Sequence, residues 1–158
     1  MEILSRDYGT IEIDESSIIE FDAGIIGFEE FRHFALLDDG KNQSPFRCLQ
    51  SIEDCDLAFI LLDPFCVKPD YEFTIDEEIA GLLTFDGNGE ILIYAIVVIP
   101  EDVKMMSLNL KAPVIINPET KKGMQHIVDK ADYNVRHYVF DEIERAKKMG
   151  LYKGQTAV

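Results

Sequence analysis

Three cysteines and three histidines are the side chains of this 158-residue chain best suited to ligate a metal or attack a carbonyl. They are Cys48, Cys55 and Cys66, with His33, His126 and His137. Zinc sites draw on ligand pairs at short fixed spacings such as Cys-x-x-Cys, and no such pair occurs here. A cysteine nucleophile needs a stabilised thiolate, whereas Cys55 lies in Glu53-Asp54-Cys55-Asp56, where three carboxylates oppose one. Cys48, in Phe46-Arg47-Cys48-Leu49, and Cys66, in Phe65-Cys66-Val67, read as small core hydrophobes. The carboxylate pairs Glu29-Glu30, Asp38-Asp39 and Glu77-Glu78 are neighbours in sequence. Such neighbours mark solvated loops or helix starts, because an acid–base dyad needs two carboxyl groups held apart by environment. There is no Gly-x-Ser-x-Gly elbow, no glycine loop ending in Lys-Ser or Lys-Thr, and no His-Glu-x-x-His. Asp86-Gly87-Asn88-Gly89 opens like a calcium loop, but Val97 stands where the closing glutamate is required. The sequence therefore carries no catalytic, metal or cofactor constellation. A hydrolase built on one of the three thiols is the remaining enzymatic alternative.

Charge narrows the partners. Thirty acidic residues against fifteen basic ones give a net charge of −15. Phosphate contacts require Lys and Arg, so direct nucleic-acid binding is not expected. An acidic surface keeps a protein soluble and suits a basic partner. Met1 to Thr10 contain Glu2, Arg6 and Asp7 and do not read as a secretory signal. The most apolar run, Ile91 to Ile99, is far short of the ~20 residues that span a bilayer. An odd cysteine count without Cys-x-x-Cys fits a reducing compartment. The expectation is a cytoplasmic protein, monomeric on its own, with no membrane association.

The elements that must position these residues are mostly strands. Ile11 to Asp14 alternates apolar and polar residues with period two. Ser17 to Phe21, Phe34 to Leu37, Phe46 to Ile52, Leu57 to Leu62 and Tyr71 to Ile75 follow as short runs. Ile91 to Ile99, rich in Ile and Val, reads as a buried central strand. Ser107 to Lys111, Val114 to Ile116 and Met124 to Val128 complete the set. Asp86-Gly87-Asn88-Gly89 reads as a hairpin turn between Leu82–Phe85 and Glu90–Ile93. Two short helices are expected: one starting near Ile75 with Asp76 as N-cap, and one over Asp141 to Met149, stopped by Gly150. Strands at short spacing with turns between them indicate an all-β, mainly antiparallel sandwich or barrel.

Four segments together resemble one family. They are Phe21-Asp22-Ala23-Gly24-Ile25-Ile26-Gly27-Phe28-Glu29 with Phe34; then Pro45-Phe46, Leu49-Gln50-Ser51, Ala58-Phe59 and Asp63-Pro64. The third is Leu108-Asn109-Leu110-Lys111-Ala112-Pro113-Val114-Ile115-Ile116-Asn117, and the fourth Gly123 to Val128 with Tyr133 and Arg136. Their order and spacing are similar to the FliW family from about residue 1 to 140, and the Asn-Leu-x-Ala-Pro-x-x-x-Asn string is the most specific. The resemblance implies a small, strongly bent β-barrel with little helix over residues 1–140. Residues 141–158 are then a C-terminal extension, partly helical and loose from Leu151 onward. It also implies a cofactor-free, non-enzymatic factor that binds flagellin and CsrA, a basic RNA-binding regulator that represses flagellin translation. Exchange of the two partners would relieve that repression. A flagellin-specific chaperone without a regulatory role is the alternative within the same resemblance.

Candidate partner-binding residues follow from this frame. Asn109 and Asn117 flank a strand-like run and serve either to bridge loops through their amides or to bond a partner backbone. Lys111 lies in the same string, and Glu101, Asp102 and Lys104 precede it as a possible interface rim. Gly24 and Gly27 are expected at a turn or close approach. Phe28, Phe34 and Phe59 are expected in the core.

Overall fold

A computed structural model describes residues 1–38 and 44–152. The short apolar runs become strands because each has one face to bury, and turns at Gly, Asp and Asn return the chain to its neighbour. A separate hairpin comes first, β1 (Glu2–Ser5) with β2 (Gly9–Glu12). Then follow β3 (Ile19–Phe21), β4 (His33–Leu37), β5 (Phe46–Ser51) and β6 (Ala58–Leu62). Helix α1 (Glu77–Leu82) precedes β7 (Leu92–Val98). The chain ends with β8 (Ser107–Leu108), β9 (Val114–Asn117), β10 (Lys122–Gln125), β11 (His137–Tyr138) and helix α2 (Val139–Lys148).

Seven strands close a barrel in the order β7-β6-β5-β4-β3-β10-β9, with β9 returning to β7. Every pairing is antiparallel except β3 with β10, where Glu20 and Phe21 pair with Lys122 and Gly123. One edge of β7 is shared. Its first half, Leu92 to Tyr94, pairs with β9, and its end, Val97 and Val98, pairs with β8. β11 extends the sheet beyond β8.

The barrel interior is filled by Phe21, Phe34, Leu49, Leu61, Tyr94, Val114 and Ile116, contributed from strands all round the ring. β10 contributes a glycine where it meets Phe21. A Cβ on Gly123 would lie 2.5 Å from the Phe21 ring, so only glycine leaves room for it. Two further apolar clusters lie on the outside. Leu62, Ala95, Val97 and Leu108 are covered by Val67, Tyr71, Tyr133 and Val139. Ile115 is covered by Ile79 and Leu83, from α1 and the residue after it. Asp76 caps α1 through its side chain, which accepts the Ile79 N–H at 2.9 Å. Gly150 ends α2 with φ of 68°. α2 buries Ala146 and packs Ile143 onto the first outer cluster. Its Glu142 and Arg145 join Lys68 and Asp70 in an ion-pair network.

The all-β barrel with two helices is as the sequence indicated, with four local differences. Tyr71 to Ile75 is not a strand. It keeps the alternation of a strand, with Tyr71 buried and Glu72 exposed, but crosses the outer clusters without a ladder partner. Leu82 to Phe85 is not a strand either, because α1 runs through Leu82 and Asn117 holds the carbonyls of Leu83 and Thr84. Gly87 and Gly89 do take φ of 93° and 99°, but they join a helix to β7 and not strand to strand. Phe28 is 38% exposed and Cys66 is exposed, so neither belongs to the core as expected, whereas Phe34 and Cys48 do. Asp39 and residues 153–158, the end of the expected loose tail, lie outside the described residues.

Candidate protein-interaction surface

The residues with chemical potential stay apart. His33 stands 3.6 Å from Glu20 and 3.5 Å from Glu53, and His126 lies near the Phe73 ring at 6.1 Å. His137 Nε2 accepts the Asn134 N–H at 2.9 Å, and its Nδ1 faces Glu142 at 3.2 Å. Burial pushes the Cys48 thiol up. Among the described residues, the one grouping of possible metal donors is Asp54, Cys55 and Asp56, consecutive on a turn. The Gln50 amide fastens that turn by donating to the carbonyls of Ser51, Cys55 and Leu57.

What the fold does assemble is an apolar hollow at one mouth of the barrel. The chain between β3 and β4 makes successive turns, with the Gly24 N–H bonded to the Phe21 carbonyl and the Phe28 N–H to that of Ile25. Gly24 has φ of 69°, and a Cβ there would meet the Glu29 backbone at 2.6 Å, so the turn requires glycine. This geometry drives Ile25 into the barrel and leaves Ile26 54% exposed. Phe28 stands edge-on to Phe59 at 5.3 Å. Gln125 clasps two walls: its amide donates to the Ala112 carbonyl at 3.0 Å and its oxygen accepts the Ile26 N–H at 2.9 Å. Asn109 shapes the third wall, its side-chain oxygen accepting the N–H groups of Lys111 and Ala112 at 3.0 Å each. The open groove so formed, ≈ 510 Å³, has Phe59 and Ile96 at its base and Lys111, Ile127 and Val135 on its rim. Ile127 and Val135 are 59% and 67% exposed. Exposed apolar residues scattered singly are ordinary, but a cluster around a concave site marks a binding surface.

A second exposed region follows β7. Val98 and Ile99 lead to Pro100, Glu101 and Asp102, and a short 3-10 turn spans Val103–Met105. The Asp102 carboxylate caps that turn by accepting the Lys104 N–H at 3.1 Å. Val103, Met105 and Phe140 are each about half exposed, and the Val139 N–H bonds the Met106 carbonyl at 3.0 Å, bringing the start of α2 beside this turn.

The six candidate residues thus divide into three places. Asn109 and Lys111 share the groove, and Glu101, Asp102 and Lys104 share the second region. Asn117 is in neither: it is 3% exposed, and its amide donates to the Leu83 carbonyl at 3.1 Å while its oxygen accepts the Glu119 N–H at 3.1 Å. Ile26, Ile127 and Val135 were not singled out from the sequence. An isolated apolar residue in a loop carries no signal that separates rim from core.

The comparisons with known proteins agree with this architecture. The family model described as FliW protein matches residues 2–139. The flagellar assembly factor FliW of Caldanaerobacter subterraneus subsp. tengcongensis is 42% identical, over 92% of this chain and 97% of the relative. That of Caldicellulosiruptor saccharolyticus is 45% identical, over 89% and 91%, and that of Treponema denticola is 40% identical, over 92% and 98%. A crystal structure of the flagellar assembly factor FliW superimposes with a TM-score of 0.80 at 32% identity, covering 88% of this chain and 96% of the solved one. With the matched segment spanning the whole barrel and the fold shared, this chain belongs to the FliW family of flagellar assembly factors.

Proposed function

We propose that this protein is a cytoplasmic, non-catalytic assembly factor that binds flagellin and CsrA in exchange, so that free flagellin releases it from CsrA and unbound protein relieves repression of flagellin translation. The observation that carries this reading is the pairing, on a FliW-family barrel, of an open apolar groove with an acid-flanked apolar rim. Both are surfaces for macromolecules. The net charge of −15 favours approach of a basic partner and adds a field that opposes RNA beside it. No cofactor is required by this arrangement, so flagellin should bind equally well in the presence of a chelator.

The test is binding kinetics with CsrA at two salt concentrations, with RNA release followed in parallel. Charges on the rim are screened over ~10 Å at about 0.1 M ionic strength, so association should slow as salt rises. Glu101→Gln with Asp102→Asn removes two charges while Asn keeps the cap of the Val103–Met105 turn. This double variant should slow association more than it speeds dissociation. An association rate independent of salt would remove the electrostatic part of the reading. RNA that stays on CsrA at saturating protein would leave a flagellin chaperone without a regulatory role.

A further inference from the structure

We infer that the barrel-mouth groove is the seat of flagellin, taking an apolar segment that carries a carboxylate, and that CsrA docks outside it on the Glu101–Asp102 rim; this rests on the reading above that both are partners. The argument is one of charge. In a chain of net charge −15, the ≈ 510 Å³ groove is lined by no Asp or Glu, and Lys111 is its one charged lining residue. Among the described residues, Lys68, Lys122 and Lys130 each have a carboxylate partner, whereas Lys111, like Lys104, Lys121, Lys147 and Lys148, has none, and of these only Lys111 lines the groove. An uncompensated ammonium beside Ile127 and Val135 attracts an anionic group on an otherwise apolar segment. A basic partner would meet the same ammonium with nothing to offset it.

Carboxylates appear only on the far side of Ile26 and Gln125, which the groove shares with a separate, neighbouring hollow of ≈ 290 Å³ lined by Asp22 and Glu29. A docked segment therefore has a direction, its acidic end at Lys111 and the opposite end toward Asp22. The two docking places are close. The chain runs from Ile96 at the groove's base, through Val98 at the end of β7, to Glu101 five residues on, a separation of at most about 17 Å. An ordinary interface covers roughly 800 Å² per partner, so two macromolecules seated at these places overlap. Steric exclusion then accounts for exchange without a conformational change in the barrel.

The test uses the full chain with Ile127→Asp, Lys111→Glu and Lys111→Arg, each titrated with purified flagellin and with purified CsrA. Ile127 is 59% exposed, so its replacement leaves the core intact, and the thermal midpoint of each variant verifies this. Ile127→Asp should weaken flagellin by about tenfold or more and Lys111→Glu by about three- to tenfold, with Lys111→Arg near native and CsrA affinity changed by less than about twofold throughout. Flagellin affinity unchanged by Ile127→Asp and Lys111→Glu, with native protein binding normally, would overturn the groove assignment and leave the partner-exchange reading standing. Loss of CsrA with flagellin retained would reverse the assignment. Native protein that binds neither partner would overturn both.

Discussion

Asn117 offers a direct separation of structural from recognition roles. It sits in the string most specific to the family, yet its side chain is turned inward. Asn117→Ala would remove the bonds to the Leu83 carbonyl and from the Glu119 N–H, both 3.1 Å, and two weaker ones at 3.4 Å to Thr84 and from Thr120. The Leu83 carbonyl would not be orphaned, because Thr120 Oγ1 also donates to it at 2.8 Å. Two good bonds at about 1 kcal/mol each, with part of one desolvation cost, give a loss of about 2–3 kcal/mol. For a chain of this size that lowers the thermal midpoint by about 4–12 °C. Circular dichroism melts measure the shift, and titration with flagellin and CsrA well below the midpoint should show native affinity. A midpoint within about 1 °C of native, with binding to either partner weakened about tenfold, would refute the reasoning and make Asn117 a contact residue.

Three further outcomes follow from the packing and the ion pairs. Gly123→Ala would set a methyl 2.5 Å from the Phe21 ring, which is fully buried and stands edge-on to Phe34 at 5.3 Å; overpacking should cost about 1–3 kcal/mol in urea unfolding. Thr84 holds φ of 51°, a left-handed conformation unfavourable to a β-branched residue, so Thr84→Asn should raise the unfolding free energy measured in urea by up to about 1 kcal/mol. Burial alone would raise the Glu142 carboxyl, but hydrogen bonds from Arg145 and His137 and the charge of Lys68 hold it below the usual carboxylate range. A carboxyl depressed by folding stabilises above its unfolded value and stops doing so as pH falls through its folded one. Native protein should therefore lose stability in acid below the ordinary carboxylate range, and Glu142→Gln should flatten that part of the profile, measured as midpoint against pH.

The sequence carries the closed regions of the fold well because their signals are local. Phe46 to Ser51 and Ala58 to Leu62 are short runs bounded by turn residues, with most of their side chains buried, and the Ile/Val run of β7 pairs with neighbours on both edges. Asp76 followed by two glutamates marks the start of α1 for a reason that is likewise local, its unsatisfied N–H groups. Tyr71 to Ile75 misleads because alternation reports an extended chain with one buried side and says nothing of a ladder partner. β1 has the same alternation, with Ile3 and Ser5 buried, but only four residues of it, and β11 has two residues and no pattern to detect. For the surface, Asn109 and Lys111 were visible through their string, whereas the groove they shape depends on Ile26, Gln125 and Val135 arriving from elsewhere in the chain. That convergence is set by tertiary closure and has no local correlate.

The parallel seam between β3 and β10 also governs when this protein can exist as a barrel. Glu20 and Phe21 reach their partners only at Lys122 and Gly123, so the ring closes across a span of about a hundred residues. During synthesis, β3 to β6 can pair as successive hairpins while one edge of β3 stays open. An open strand edge is a template for unwanted pairing, and contacts distant in sequence form slowly. Nascent chains halted before β10 should thus be sticky, protease-sensitive sheets, and competence for any partner should emerge late and all at once as the seam is sealed.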